Sequence, residues 1–192
     1  MALCRRLEGV GTVQVGGEVP PYDWHCPFIS LPRVFSATPD AMGAPVPYLK
    51  ADPDKVKEFA ELLPDNHKLN VGVIWGGAPR PNLIGPHMVD RRRSMSLKTL
   101  EPLSAIPGIN LISLQKGPYA DQMLDPPRNM TLYDPTDDLH TMDDTASLMM
   151  SLDVIVSVDT SSVHLAGGLG KPVIMMDRYD NCWRWLHGQD TS

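Results

Sequence analysis

The sequence predicts an α/β domain built on a doubly wound parallel sheet, and three observations predict it. From residue 70 onward five short apolar runs recur, rich in β-branched residues and nearly continuous in apolarity, as strands buried on both faces of a parallel sheet require. Helical patterns separate these runs, so strand and helix alternate along the chain. Ligand-type side chains collect where the runs end, and in open α/β sheets ligands bind outside the carboxyl ends of the strands.

The first fifty residues read differently from the rest. "MALCRRL" fits the end of a helix and "GTVQV" a short strand, followed by the proline-studded, weakly periodic "PPYDWHCPFISLPRVFSATPDAMGAPVPYL". A passage of that length is uncommon inside a compact domain and reads as a linker or as a piece of a larger unit. The pattern sharpens at "DPDKVKEFAELL", with Asp52 as N-cap, Pro53 at the first helical position and Asp54 in the first turn. Val56, Phe59, Ala60 and Leu63 then fall on one buried face. The predicted strands are "NVGVIW" (70–75), "INLISLQ" (109–115), "MTLYD" (130–134), "DVIVSV" (153–158) and "PVIMM" (172–176).

After the first strand a tight turn with exposed amides, Gly76-Gly77-Ala78-Pro79, leads into a long loop ending in "DRRRSMSL". "SLKTLEPLSAI" lines up Leu97, Leu100, Leu103 and Ile106 as a helix whose first turn Pro102 breaks or delays. "MDDTASLMMSL" takes Asp143 or Asp144 as its cap and buries Ala146, Leu148, Met149 and Leu152. "SSVHLAGGLG" is a short helix closed by Gly170 in the left-handed conformation. The domain organisation expected is a leading segment, 1–50, and a sheet domain, 51–192.

Composition narrows the function classes. With 192 residues, 42% hydrophobic, the chain is long enough for one substantial core. A net charge of -6 argues against general nucleic-acid or anionic-membrane binding. No apolar run approaches the ~20 residues of a membrane span, and the N-terminus lacks the apolar core of a signal peptide. Three scattered cysteines, Cys4, Cys26 and Cys182, make no disulfide framework and fit a reducing, cytoplasmic setting. Asp23, His25 and Cys26 are metal-ligand types without a second cluster, so no metal is expected.

The densest chemistry lies in "SVDTSSVHLAGGLGKPV", residues 157–173. Asp159 follows a strand end and a helix begins directly after it, so the amides of Thr160, Ser161 and Ser162 point outward at a positive helix terminus that suits a phosphate. His164 lies about one turn further on, and Gly167 and Gly168 let the helix pack tightly on the sheet or let a ligand approach. A helix cap and a backbone-bonded histidine would use the same residues, so both readings stand. At the neighbouring strand ends Gly76 and Gly77 offer amides, Gln115 and Lys116 an amide and a cation, and Arg93 a clamp for an anion unless the arginine run is merely solvated. Asp137, Asp138, His140, Asp143 and Asp144 form an acidic rim, either a helix start or a seat for ribose or a divalent ion. "CWRWLHG" is an amphipathic turn whose tryptophans pack on the sheet edge or stack on a base or sugar. Neither G-x-G-x-x-G after the first strand nor G-x-x-x-x-G-K-[ST] occurs, which disfavours a dinucleotide cofactor and a P-loop kinase.

Taken together, "VGVIWGG", "RRRSMSL", "LISLQKGP", "DDTASLMMSLDVIVSVDTSSVHLAGGLGKPV" and "WRWLHG", in that order over residues 70–188, resemble the C-terminal, donor-binding half of GT-B glycosyltransferases of the heptosyltransferase-like family 9 type. The chain resembles in particular the bacterial forms fused behind tetratricopeptide repeats. "YDWHCPFISLP" and "VPYL" resemble the crossover from the acceptor domain, so residues 1–50 are expected to be that domain's tail and 51–192 a Rossmann-like donor domain, truncated at its C-terminus. The chain reads Gly77-Ala78-Pro79 where family members usually carry Asn-Pro. The resemblance implies a nucleoside diphosphate sugar (UDP-, ADP- or GDP-linked), inverting transfer by direct displacement, and no cofactor. It implies that Thr160, Ser161, Ser162 and His164 hold the diphosphate, that Asp159 meets sugar hydroxyls, that Lys116 and Arg93 neutralise phosphate, and that Gln115 or Asp144 meets base or ribose. The acceptor site and the catalytic base are expected on the other half, so no catalytic residue is assigned here and this chain alone is expected to be inactive. A degenerate interaction module, a GT-B-type epimerase using Asp159 and His164 as acid and base, and a homodimer formed through the N-terminal segment remain as other readings.

Overall fold

The computed structural model describes residues 2–38, 45–180 and 185. Eleven regular elements follow in chain order: α1 (Ala2–Arg5), α2 (Leu31–Val34), α3 (Pro53–Ala60), β1 (Leu69–Ile74), α4 (Ile84–Arg93), β2 (Ile109–Ser113), β3 (Leu132–Tyr133), α5 (Met142–Met150), β4 (Val154–Val158), α6 (Ser161–Gly168) and β5 (Val173–Met176). The five strands form one sheet in the order β3-β2-β1-β4-β5, every pair parallel. The fold is thus α/β with a Rossmann-like parallel sheet.

Strand alternation builds two cores, one on each face. Val71, Val73 and Trp75 point to the side shared with Leu97, Leu100, Leu111, Met130 and Val156. Ile74 and Ile112 point to the other, against Phe59, Leu148, Met149, Leu152, Ile155 and Leu165. Burial on both faces explains why β1, β2 and β4 read as continuous apolar runs rather than alternating ones; β3 and β5, at the two edges of the sheet, are only partly buried, with Tyr133 and Ile174 exposed, where the sequence reading expects burial on both faces. Each large side chain taken from water here contributes about 2 kcal/mol.

Helix starts follow local chemistry. The Asp52 carboxylate accepts from the amides of Asp54 and Lys55, with Pro53 in the first turn, as the sequence predicts. Only Phe59 of the expected face is fully buried, while Ala60 is exposed because α3 lies at the edge of the core. The cap of α5 is Thr141 rather than Asp143 or Asp144. Thr141 accepts from the Asp144 amide and Asp144 accepts from the Thr141 amide, a reciprocal capping box. Residues 97–105 form a 3-10 helix with Pro102 inside it, one donor short because proline has no N–H. The long loop expected before "DRRRSMSL" contains α4. Its first turn holds Gly85 and Pro86 and its apolar residues make no buried stripe, so the helical period is hidden.

The leading segment has little regular structure. "GTVQV" forms no strand, having no partner edge to pair with, and Val15, Trp24, Phe28, Ile29 and Phe35 stand well exposed. Both of its ends are tied to the sheet domain. Leu3 packs on the core, and Arg6 pairs with Asp143 and donates to Lys50 O at 2.8 Å. At the other end the amides of Tyr48 and Leu49 both donate to Gly168 O, at 3.0 and 2.8 Å. A Cβ on Gly168 would come within 2.8 Å of Leu49 and 2.9 Å of Tyr48. Gly168 therefore admits this returning strand of chain, not the sheet or a ligand as the sequence reading expects, and around Gly167 there is open space. Among the described residues no helix is long and apolar enough to cross a membrane.

Candidate functional site

The strand order reverses between β1 and β4, so the crevice at their carboxyl ends is the switch point where open α/β sheets bind ligands. Two segments border it: Trp75–Gly77 after β1, and Asp159–Ser162 after β4. The structure brings Gly76, Gly77, Arg93, Gln115, Lys116, Asp159, Thr160, Ser161, Ser162 and His164 to this carboxyl rim, while Asp144 lies behind it at the start of α5.

On the β4 side the groups are open. Thr160 caps α6, its hydroxyl accepting from the Ser162 amide at a long 3.4 Å and lying 3.4 Å from the Ser157 hydroxyl. Ser161 and His164 are exposed, and Asp159, Thr160 and Ser162 half-buried. The Asp159 carboxylate, the Thr160 and Ser161 amides and the Ser161 and Ser162 hydroxyls have no protein partner among the described residues. The His164 ring stacks on Trp185, centroids 4.8 Å apart and planes 21° apart. The rest of "CWRWLHG" lies outside the described residues.

On the β1 and β2 side the same residue types are engaged by the scaffold. Gln115, 2% exposed, accepts from the Trp75 and Gly76 amides at 3.0 and 2.8 Å and donates to Gly76 O and Lys116 O at 3.1 and 2.8 Å. The Gly77 amide donates to the Ser94 hydroxyl at 2.9 Å. The turn at Gly76-Gly77 thus presents no free amide, because each one closes a bond to a neighbouring side chain. Lys116 Nζ donates to Thr136 O at 2.9 Å and Leu139 O at 2.5 Å, so this exposed cation also holds the loop before α5.

Asp144 is buried and tied to Lys55 Nζ, with Thr141 N, Thr141 Oγ1 and His140 N donating to its other oxygen at 2.7, 2.8 and 3.1 Å. Burial alone pushes its carboxyl up; Lys55 and Thr141 outweigh that and hold it at about 2, well below the usual carboxylate range. Lys55 rises in turn, first through that hydrogen bond. These partners occupy Asp144 as the cornerstone of the helix start, one of the two roles its sequence context allows.

One group of this rim has no counterpart in the sequence reading. Asp90, fully buried, takes Arg93 Nε and Ser94 Oγ at Oδ1, 3.2 and 3.1 Å away, and the Tyr119 hydroxyl at Oδ2, 3.1 Å away. Arg93 Nη1 reaches across to Asp159 O at 3.1 Å. Next to it Arg92 pairs with Asp180 beyond β5, and that contact is the first cause that lowers the Asp180 carboxyl. The signal for the cluster is Asp90, Arg93 and Ser94 at i, i+3 and i+4, one face of a helix, legible only once α4 is seen to be helical. A depression of about 520 Å³ bounded by Ser94, Lys98, Tyr119 and Gln122 lies beside this cluster. The joint at Asp159–His164 is not part of it and sits on the open rim.

Chemically, the β4 side offers amides, hydroxyls and an imidazole around a helix N-terminus, with a guanidinium fixed alongside. That combination suits the oxygens of an anion such as a phosphate. No protein-family model matches the chain, and no curated protein does. Among solved structures, that of Escherichia coli ADP-heptose LPS heptosyltransferase II is similar over 71% of this chain and 41% of its own, with a TM-score of 0.50 and 11% identity. At that identity the likeness is one of fold, and this chain spans less than half of that protein's length.

Proposed function

We propose that this chain is the donor-binding part of a glycosyltransferase, which takes the diphosphate of a nucleoside diphosphate sugar at the joint between β4 and α6. The observation that carries the reading is the Asp159 carboxylate, the Thr160 and Ser161 amides and the Ser161 and Ser162 hydroxyls, without a partner among the described residues at the switch point of the sheet, with Arg93 pinned beside them. The fold likeness to a protein whose name gives an ADP-linked sugar supports it from another direction.

In this reading the Thr160 and Ser161 amides, the Ser161 and Ser162 hydroxyls and His164 accept the charge that grows on the leaving diphosphate, where preorganised donors act most strongly. Asp159 takes hydrogen bonds from sugar hydroxyls. Arg93 and the remaining N–H of Lys116 balance the phosphates. Gln115 and Asp144 act behind the contact surface, holding the rim in shape. The base that activates an acceptor, and the inversion that follows from direct displacement, belong to a second half that closes over the open rim. Residues 1–50 are the tail of that half, which accounts for the exposure of Trp24, Phe28, Ile29 and Phe35. A second copy of this chain would cover the same side chains, and sedimentation separates the two cases.

Calorimetry with UDP, ADP and GDP tests the reading. One of them is expected to bind and to raise the melting temperature, since a ligand of the native state must do so. Silence from all three, with the protein folded, would remove it.

A further inference from the structure

We infer that Asp90 is the positioning residue of the anion site, acting through Arg93, with Gly77 leaving the space the guanidinium occupies; the inference rests on the donor-site reading above. Helix α4 is unusual in what anchors it. Asp90 is its one fully buried residue, while Ile84, Met88 and Val89 are exposed. A carboxylate, not an apolar stripe, therefore sets where the last turn of α4 lies against the sheet.

The partners of that carboxylate come from three directions. Ser94 Oγ donates to Asp90 and itself accepts the Gly77 amide, which ties the turn after β1 to the cluster. Tyr119 donates its hydroxyl to Asp90, and its ring covers Gly76 so closely that a Cβ there would fall 2.3 Å from it. Arg93 donates Nε to Asp90 and one Nη1 hydrogen to Asp159 O, linking the last turn of α4 to the segment that follows β4. A guanidinium carries five N–H groups, and Nη2 makes no hydrogen bond among the described residues. The side chain is 21% exposed, and the Nη1 contact with Asp159 O sets the guanidinium next to the segment that carries the Thr160 and Ser161 amides.

Gly77 completes the arrangement. A Cβ there would lie 2.4 Å from Arg93 Nη2 and 2.5 Å from Asp90 Oδ1. The glycine after β1 thus leaves room for an arginine, in place of offering its own amide to the ligand. The class of ligand served is a diphosphate, because a planar fork fixed at a set distance from a helix N-terminus holds neighbouring phosphate oxygens in register.

The test uses the full chain and inorganic pyrophosphate and ADP as probes, with Asp90→Asn, Arg93→Gln and the double variant. Each single change is expected to weaken binding about tenfold, as loss of one charge-assisted contact does. The double variant is expected to be no weaker than Arg93→Gln alone, because Asp90 works through Arg93. Should Asp90→Asn fail to fold, Gly77→Ala displaces the same guanidinium and is expected to cost binding in the wild-type background but not beside Arg93→Gln. Separately, a 15N spectrum is expected to show the Arg93 Nε–H protected from exchange in the free protein and unprotected in Asp90→Asn or Gly77→Ala. Binding by folded variants that matches wild type, or losses that multiply in the double variant, would overturn the inference while leaving the donor site standing. If the wild type binds neither probe, and UDP and GDP are silent as well, the donor-site reading falls and this role falls with it, and a protected Arg93 Nε–H would then mark Asp90 as a brace for α4 alone.

Discussion

The two sides of the carboxyl rim carry similar residues and use them differently. Beside β1 and β2, Gln115, Lys116, Gly76 and Gly77 are bonded to the scaffold. Beside β4, the side chains of Asp159, Ser161 and His164 are unbonded or open, braced among the described residues by the Thr160 cap, the Trp185 stack and the Arg93 bond to Asp159 O. The difference teaches that polarity at a strand end does not by itself mark a contact surface. What marks it is polarity left without a protein partner, since a buried amide or carboxylate must be satisfied internally. The closed side gives the rim its shape and the open side gives it something to hold.

Substitutions on the closed side should therefore reduce stability, and those on the open side should reduce binding. The largest effect is expected for Gln115→Ala, which strands two buried amides and two carbonyls; chemical denaturation should read a loss of about 3 kcal/mol. Next comes Asp144. Its carboxyl is held near 2 in the folded protein, against 3.8 for the unperturbed group. Because the folded value is the lower one, its contribution of about 2 kcal/mol is complete above pH ~4 and is lost as pH falls toward ~2. Asp144→Asn should flatten that acid limb in denaturation curves taken across the range.

On the open side the order of effects inverts. His164→Ala is expected to leave stability within ~0.5 kcal/mol, as for exposed positions generally, while weakening nucleoside diphosphate binding about tenfold by calorimetry. Ser161→Ala, the smallest change, should cost a few-fold in affinity and nothing in melting temperature. If His164→Ala instead destabilised the fold as much as Gln115→Ala does, the division between the two sides would not hold.

How far each side was legible in the sequence follows the same division. The central strands and the buried run of Ala146, Leu148 and Met149 on α5 with Leu152 just beyond it announce themselves through burial, and the Asp52 cap through its residue type before Pro53. So does the joint itself, because "DTSSVH" directly follows a buried strand. The closed side was not legible in the same way. That Gln115 turns inward to knit two strands depends on β1 and β2 being neighbours, a pairing between residues some forty positions apart. The cluster around Asp90 depends on α4, a helix with no apolar stripe to betray it. Long-range polar bonds leave no period in a sequence. The leading segment misled in the opposite direction, since "GTVQV" has strand composition and no neighbouring edge to make it one.

The most direct measurement follows backbone amides by 15N–1H spectroscopy while ADP, UDP, GDP or pyrophosphate is titrated in. The Thr160 and Ser161 amides, which have no protein partner among the described residues, should move saturably, with Gly76 and Gly77, whose hydrogens are already held, moving far less. Shifts centred on Gly76 and Gly77, or a saturating ligand that leaves Thr160 and Ser161 unmoved, would contradict the assignment of the anion to the β4–α6 joint.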